Sequence, residues 1–313
     1  MNIECVLCTY NGAEYIREQL ESISHQTCRP DRLIVCDDDS QDSTVEIVAD
    51  WSRTAGFQVD IFINEPGLGA VGNFEKALFL TTGDYIFFAD QDDVWLPEKI
   101  ELAMKLMKDM ESEYGLEMPC LVHTDLMVVD KQLQVIHRSF LENQGLQHIY
   151  NEESLLPGLM AQNFVTGCTM LINRALKEKA LPFPRDIIMP DYWLALAAAI
   201  CGKIGFINVP TILYRQHGRN TVGAVKYLSL GNMLRVFKGE DMLSRIDATV
   251  RQLRSAAAYK QGELAAGHSC IGEFLAHIDR HEYLKMLCSS VRKQGFLRNL
   301  VYKFYMMVYM AKR

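Results

Sequence analysis

Three carboxylates, Asp90, Asp92 and Asp93, crowd directly behind the apolar run Tyr85-Ile86-Phe87-Phe88-Ala89. A run of that length, entered from Gly83 and left through polar residues, reads as a buried strand. The carboxylates then lie just past its end, which in an open α/β sheet is where ligands bind. Clustered aspartates repel one another unless a cation or donors meet them. A hard divalent ion holding a substrate diphosphate meets that need, because Mg²⁺ takes one or two carboxylates together with phosphate oxygens. The plainer reading is a solvated acidic loop whose Asp92 or Asp93 caps a helix opening near Pro97. Agreement with the motifs below favours the metal site.

A second acidic group, Asp37-Asp38-Asp39-Ser40, follows Leu33-Ile34-Val35-Cys36 and is again at a strand end. A carboxylate there can accept from the N3–H of a uracil or thymine ring. Helix capping competes for the same segment, and Asp42 is placed to do it. Asp191 opens an apolar helix before Tyr192-Trp193. Taken alone, an aspartate at a helix start is an N-cap. His217 stands in Gln216-His217-Gly218-Arg219, beyond a strand. A lone histidine is more often structural, but this position suits a metal or phosphate ligand.

The elements that must position these groups alternate. Strands are expected at 3–8, 32–36, 58–63 and 85–89, with helices at 12–25, 43–54 and 71–80 between them. That order implies right-handed βαβ units and a parallel sheet. Pro97 opens a helix to about Tyr114. Residues 120–123 and 126–129 read as strands flanking Asp125, 141–160 as an irregular loop with some helix, and Phe164–Ile172 as a strand carrying Gly167. Residues 191–201 form an apolar helix, and 204–209 and 211–215 are short strands. From about 224 the pattern is helical. The reading is therefore α/β: a mostly parallel nucleotide-binding sheet flanked by helices over 1–222, with a helical C-terminal region over 223–313.

The chain has 313 residues, enough for one large domain or two smaller ones. Hydrophobic content of 49% with 23% charged residues is ordinary for a soluble protein. The net charge of −7 argues against a nucleic-acid partner. The nine cysteines have no CxxC spacing, and several sit in apolar runs. Neither a zinc site nor a disulfide framework is expected. The amino terminus lacks a basic n-region, and no long uncharged apolar run appears. Neither a signal peptide nor a spanning helix is expected, which points to the cytoplasm.

Taken together the motifs resemble the family 2 glycosyltransferases, whose nucleotide-binding fold is called GT-A. The resemblance rests on Thr9-Tyr10-Asn11-Gly12, Asp37-Asp38-Asp39-Ser40, Asn64, the Gly69 to Asn73-Phe74 segment and Asp90-Gln91-Asp92-Asp93-Val94-Trp95. Later come Thr166-Gly167-Cys168, Pro190-Asp191-Tyr192-Trp193 and Tyr214-Arg215-Gln216-His217-Gly218. It covers about residues 1–220, and the later segments look most like bacterial rhamnosyltransferases of polysaccharide assembly. Two positions depart from the pattern. Asp39 stands where the family more often has Gly, which a tight turn tolerates, and Pro190 stands where a polar residue is common.

The resemblance implies roles. Thr9, Tyr10, Asn11, Asp37, Asp38, Asn64 and Asn73 would bind the nucleotide, and Asp90 the ribose or the metal. Asp92 and His217 would hold Mg²⁺ or Mn²⁺. Asp93, Trp95, Gly167, Cys168, Trp193 and Arg219 would face the donor or acceptor sugar, with Arg219 able to neutralise leaving phosphate charge. Asp191 would be the catalytic base. The implied reaction is inverting transfer from a dTDP- or UDP-sugar to a glycan or lipid-linked glycan, and the likeness to rhamnosyltransferases implies a rhamnose donor. The physics agrees: a metal stabilises the departing diphosphate, and a carboxylate must take the proton of a poorly nucleophilic hydroxyl.

Readings from other classes account for less of the sequence. Asp90-Gln91-Asp92-Asp93-Val94 fits the DxDx(T/V) signature of haloacid dehalogenase-like phosphatases, but that motif belongs on a first strand and this one is on a fourth. A non-catalytic nucleotide-sugar-binding protein would not need Asp92, Asp191 and His217 intact. The tail carries one more signal. From Tyr283 to Arg313 there is no Asp or Glu, yet Lys285, Arg292, Lys293, Arg298, Lys303, Lys312 and Arg313 lie among apolar residues. This predicts an interfacial helix on the inner membrane leaflet; the alternative is a helix packed on the core with a basic outer face.

Overall fold

The computed structural model describes residues 1–146, 152–217, 239–259 and 265–312. Strands β1 (Ile3–Thr9), β2 (Arg32–Asp37), β3 (Gln58–Ile63) and β4 (Tyr85–Asp90) alternate with helices α1 (Ile16–Ser24), α2 (Thr44–Ser52) and α3 (Gly69–Leu80). After β4 come β5 (Val94–Trp95), α4 (Lys99–Tyr114), β6 (Cys120–Val129), β7 (Val135–His137), α5 (Phe140–Gln144) and α6 (Glu152–Ala161). A 3₁₀ turn (Gly167–Thr169), β8 (Leu171–Asn173), α7 (Arg174–Ala180), α8 (Pro190–Cys201) and β9 (Lys203–Arg215) follow. Four helices end the described chain: α9 (Gly239–Ala258), α10 (Ala265–Asp279), α11 (Tyr283–Cys288) and α12 (Phe296–Ala311).

The sheet runs β3-β2-β1-β4-β8-β6-β9-β5, with β7 on the edge of β6. β3, β2, β1 and β4 are parallel neighbours. β8 is antiparallel to both β4 and β6, and β6 pairs parallel with β9. Alternation along each strand divides the core into two layers. Cys5, Leu7, Leu33, Val35 and Phe87 pack with α1, α2 and α4. Val6, Ile34, Cys36, Ile86 and Phe88 pack on the other face with α3, α7 and α8.

The expected first four strands and three helices are all present. The later elements differ in detail. Residues 120–129 form one strand rather than two, because Asp125 is buried and bonded within it, accepting from Leu141 N–H and Ser139 Oγ–H. Lys203–Arg215 is likewise continuous, and Pro210 is accommodated at a register irregularity opposite Asp125. The strand expected over Phe164–Ile172 shrinks to Leu171–Asn173, because Gly167–Thr169 turns as 3₁₀.

The C-terminal helices share the core of the sheet domain. Ile246, Val250 and Leu253 of α9 and Tyr302, Met306 and Met310 of α12 join one apolar cluster with Trp193 and Leu194 of α8. The expected division near 222 lies outside the described residues. α12 packs inward, and several basic side chains go with it. Lys303 is 6% exposed and donates to Met286 O, Ser289 O and Ser289 Oγ. Lys293 lies 5.8 Å from the Tyr302 ring centre, and Arg298 donates to Gln144 O. No helix among the described residues is long and apolar enough to cross a membrane.

Candidate functional site

The sequence order reverses between β1 and β4, so a crevice opens at their carboxyl ends. The register brings the chemistry there: Thr9 is level with Asp37, and Cys8 with Asp90. Thr9 and Asp37 are buried and bonded to each other. The Thr9 hydroxyl donates to Asp37 Oδ2 at 2.6 Å, and Asp37 also accepts from Ser40 N–H and Oγ–H. Expected at the nucleoside, these two instead build the loop that carries Asp38. Asp39, in place of the more usual glycine, sits at φ +68°, a left-handed conformation that Asp tolerates better than most residues.

Tyr10 is 58% exposed and offers a ring at the crevice. Its backbone is pinned by Gln91, whose amide accepts from Tyr10 N–H and donates to Tyr10 O. A Cβ on Gly12 would come within 2.3 Å of Gln91 Oε1, so this pairing requires glycine at 12. Asn11 ties the first loop to the second: its N–H donates to Ser40 Oγ, and its Oδ1 accepts from Gln41 N–H.

Asp38 lies at the amino end of α3. It accepts from Leu68 N–H at 2.7 Å, Gly69 N–H at 2.8 Å and Asn64 Nδ2 at 2.9 Å. These donors, two of them at the first turn of α3, hold the carboxylate in a fixed orientation. Asn73 is 2% exposed and binds Asn64 and Cys36 O, so it buttresses this corner from behind rather than reaching a ligand.

The β4–β5 loop divides its carboxylates. Asp92 points to His217, with Oδ2 2.7 Å from Nε2. Asp90 stands beside them. Burial pushes its carboxyl well up, and the charges of Asp92 and Asp191 push it further. The Asp92–His217 pair, with the Asp90 carboxyl close enough to feel the Asp92 charge, offers oxygen and nitrogen donors of the kind Mg²⁺ or Mn²⁺ takes. Asp93 turns the other way and is fully buried. It accepts from Arg215 N–H and is hydrogen-bonded to the Cys168 thiol, while its Oδ2 has no hydrogen-bond partner among the described residues. Asp90, Asp93 and Cys168 converge closely enough to suggest a metal set. Thiolate suits soft ions rather than Mg²⁺ or Mn²⁺, however, and burial together with Asp93 pushes the Cys168 thiol far up.

Asp191, at the start of α8, comes from another part of the chain to the same place. Its oxygens accept from Gly167 N–H at 3.2 Å and Tyr192 N–H at 2.6 Å, with a further hydrogen bond from the Asn163 side chain. Burial outweighs these donors and raises its pKa to about 6. Gly167 thus serves Asp191 through its N–H. Asp93, Trp95, Cys168 and Trp193, expected at a sugar, are core residues. Trp95 is 2% exposed and carries the Lys99 ammonium over its ring; Trp193 is 1% exposed and donates to Ala180 O. Arg219 lies outside the described residues.

The profile of glycosyl transferase family 2 matches residues 4–176. The chain belongs to that family. It is a glycosyltransferase with a mixed α/β fold. Among curated relatives, dTDP-rhamnosyl transferase RfbG of Shigella flexneri is 29% identical over 251 residues, spanning 72% of this chain and 78% of its own. The amylovoran biosynthesis glycosyltransferase AmsB of Erwinia amylovora is 25% identical, over 66% of this chain and 65% of its own. Solved glycosyltransferases share the fold. The Pyrobaculum calidifontis mannosyltransferase PcManGT, in complex with GDP-Man and Mn²⁺, superposes with TM-score 0.57 at 16% identity, over 99% of this chain and 86% of its own. S. aureus TarS 1–349 with UDP-GlcNAc gives 0.56 at 17% identity, over 100% and 93%.

Sequence reasoning within this family missed the residues that set the geometry. Gln91 was visible only as the spacer between two aspartates. Arg215 is buried at 1% exposure, yet its guanidinium donates to Asp92 O, Lys131 O and Glu18 Oε2. Nothing about a lone arginine at the end of a strand signals three partners from separate segments.

Proposed function

We propose that this glycosyltransferase moves a sugar, with rhamnose the first to test, from a dTDP- or UDP-linked donor to a hydroxyl of a glycan or lipid-linked glycan, with inversion. The observation that carries it is Asp191: a carboxylate on α8, apart from the Asp92–His217 pair, with a pKa raised to about 6. A base near neutrality both exists as the anion and holds a proton well enough to take one. Asp38 and Tyr10 flank the nucleoside end. Asp92 and His217, beside Asp90, would hold Mg²⁺ or Mn²⁺, which as a Lewis acid supplies positive charge to a departing diphosphate. The dTDP-rhamnose donor is suggested by RfbG.

The test is a donor screen with dTDP-rhamnose, UDP-glucose, UDP-galactose and UDP-N-acetylhexosamines, followed by NMR of the product anomer. Retention of configuration, or phosphate release from an aryl phosphate without transfer, sinks this reading. The membrane side of the proposal now rests on the outer face of the C-terminal helices. Leu284, Leu287, Leu300 and Phe304 stay 41–79% exposed near exposed Lys285, Arg292 and Lys312. Deleting the tail would uncover Trp193's cluster, so the cleaner variant is Leu300→Ser with Phe304→Ser. Salt-sensitive sedimentation with anionic liposomes should be lost in that variant; wild type that stays in the supernatant at low salt refutes docking.

A further inference from the structure

His217 does not hold its place through Asp92 alone. Its imidazole stacks on the ring of Tyr15, centroids 4.9 Å apart and planes 28° from parallel. The Arg215 guanidinium lies 4.6 Å from the centre of the same ring. Tyr15 is 9% exposed, and its hydroxyl donates to Glu14 Oε1. One turn further on, Glu18 receives Arg215. The start of α1 therefore grips the end of β9 twice, once by ring stacking and once by an ion pair. Arg215 closes the circuit by donating to Asp92 O at 3.0 Å and, through its own N–H, to Asp93 Oδ1.

The location gives this grip its meaning. Tyr15 N–H and Ile16 N–H both donate to Gly12 O, and Gly12 N–H donates to Thr44 Oγ1. The loop that presents Tyr10 and Asn11 to the crevice thus runs straight into the residue that backs His217. An imidazole on a solvated strand end would sample many rotamers. Stacked on a ring that is itself held by a guanidinium, it keeps Nε2 aimed at Asp92. Partners behind a ligand fix its orientation and are worth about 10–100-fold in metal affinity when removed.

We propose that Tyr15, gripped by Arg215 and backed by Glu18, is the positioning residue that pre-orients His217 toward Asp92 and so joins the nucleotide loop to the metal side of the site. It touches neither substrate nor metal. This rests on the reading of Asp92 and His217 as metal ligands.

Mn²⁺ titration followed by EPR, in saturating dTDP or UDP, tests it without turnover. Tyr15→Leu keeps an apolar side chain and removes the ring; it should weaken Mn²⁺ about 10-fold. Tyr15→Phe keeps the ring and should bind as wild type. Affinity for the nucleotide in EDTA should be unchanged in both. If Tyr15→Leu binds Mn²⁺ like wild type, Tyr15 only fills space and the proposal falls. If Tyr15→Leu does not fold, Glu18→Ala decides, since that side chain is 52% exposed: about 3-fold weaker Mn²⁺ supports the grip, and no change overturns it. His217→Ala separates the two readings. Unaltered Mn²⁺ binding there removes the metal-ligand assignment itself, whereas a loss in His217→Ala with none in Tyr15→Leu removes only the role of Tyr15.

Discussion

The mouth of the crevice and the chamber sealed behind it are built from the same short loop, and they use the same residue type for opposite ends. At the mouth, Asp92 faces His217, and Asp90 stands at the boundary, under the charges of Asp92 and Asp191 and within 4.8 Å of Asp93 and Cys168. Behind it, Asp93 faces Cys168, the backbone of Arg215 and the buried Lys99. Lys99 is fully buried over Phe87 and Trp95, and burial lowers its pKa to about 8. The mouth keeps charges together that repel. The chamber suppresses charge: Asp93 is pushed well up, toward the neutral acid. Clustered carboxylates are thus not one feature. Their number marks the site, but the backbone decides which of them meets a ligand.

Neutral isosteres test this division most strongly. Asp92→Asn keeps the shape and removes the charge. Transfer should fall about 10³-fold, roughly 4 kcal/mol of transition-state stabilisation, with Tm within a degree or two of wild type. Asp93→Asn should retain most activity and stability, because the acceptor for Arg215 N–H survives and the charge was already suppressed. Asp93→Leu leaves that buried N–H and the Cys168 thiol unpaired and should cost about 2–3 kcal/mol in a denaturant titration. If Asp93→Asn proves as inactive as Asp92→Asn in the folded state, the chamber is part of the reaction site and the division fails.

The mouth was legible in the sequence to the extent that position along a strand reveals it. β1 to β4 end where apolar runs meet polar residues, and a parallel sheet gathers those ends. That placed Thr9, Asp38, Asp90 and Asp92 at one edge of the molecule. What could not be read was direction. Thr9 and Asp37 look like ligand groups but bond to each other. Trp95 and Trp193 look like sugar platforms but are walls of the core. In each case tertiary packing, which no periodicity encodes, decided between ligand and interior. The tail shows the same limit: Lys303 interrupts an apolar run and suggests a solvated face, yet it is buried with three oxygens around it. Gln91 and Arg215 were unreadable for the converse reason, since their partners are 81 and up to 197 residues away.

Asp191 sharpens the contrast with an effect of opposite sign and smaller size. Its folded-state pKa of about 6 lies above the ordinary value of 3.8. Folding therefore favours its protonated form. The stabilisation is fully present below about pH 4 and is lost as pH rises through 6. Above that pH the wild type carries an ionised, largely buried carboxylate, and Asp191→Asn relieves it. One pH unit corresponds to about 1.4 kcal/mol; partial exposure and the lost acceptor for one of two N–H groups reduce the gain to roughly 1–2 kcal/mol at pH 8. In EDTA, Tm should rise by about 2–5 °C at pH 8 and much less at pH 5. Turnover should move the other way. Wild type should climb tenfold per pH unit below about 6 and level off above it, while Asp191→Asn should be slower by roughly 10²–10⁴-fold with nucleotide affinity spared. A variant that loses both stability and nucleotide binding would make Asp191 a structural residue of the first turn of α8, and the mouth would have lost its base.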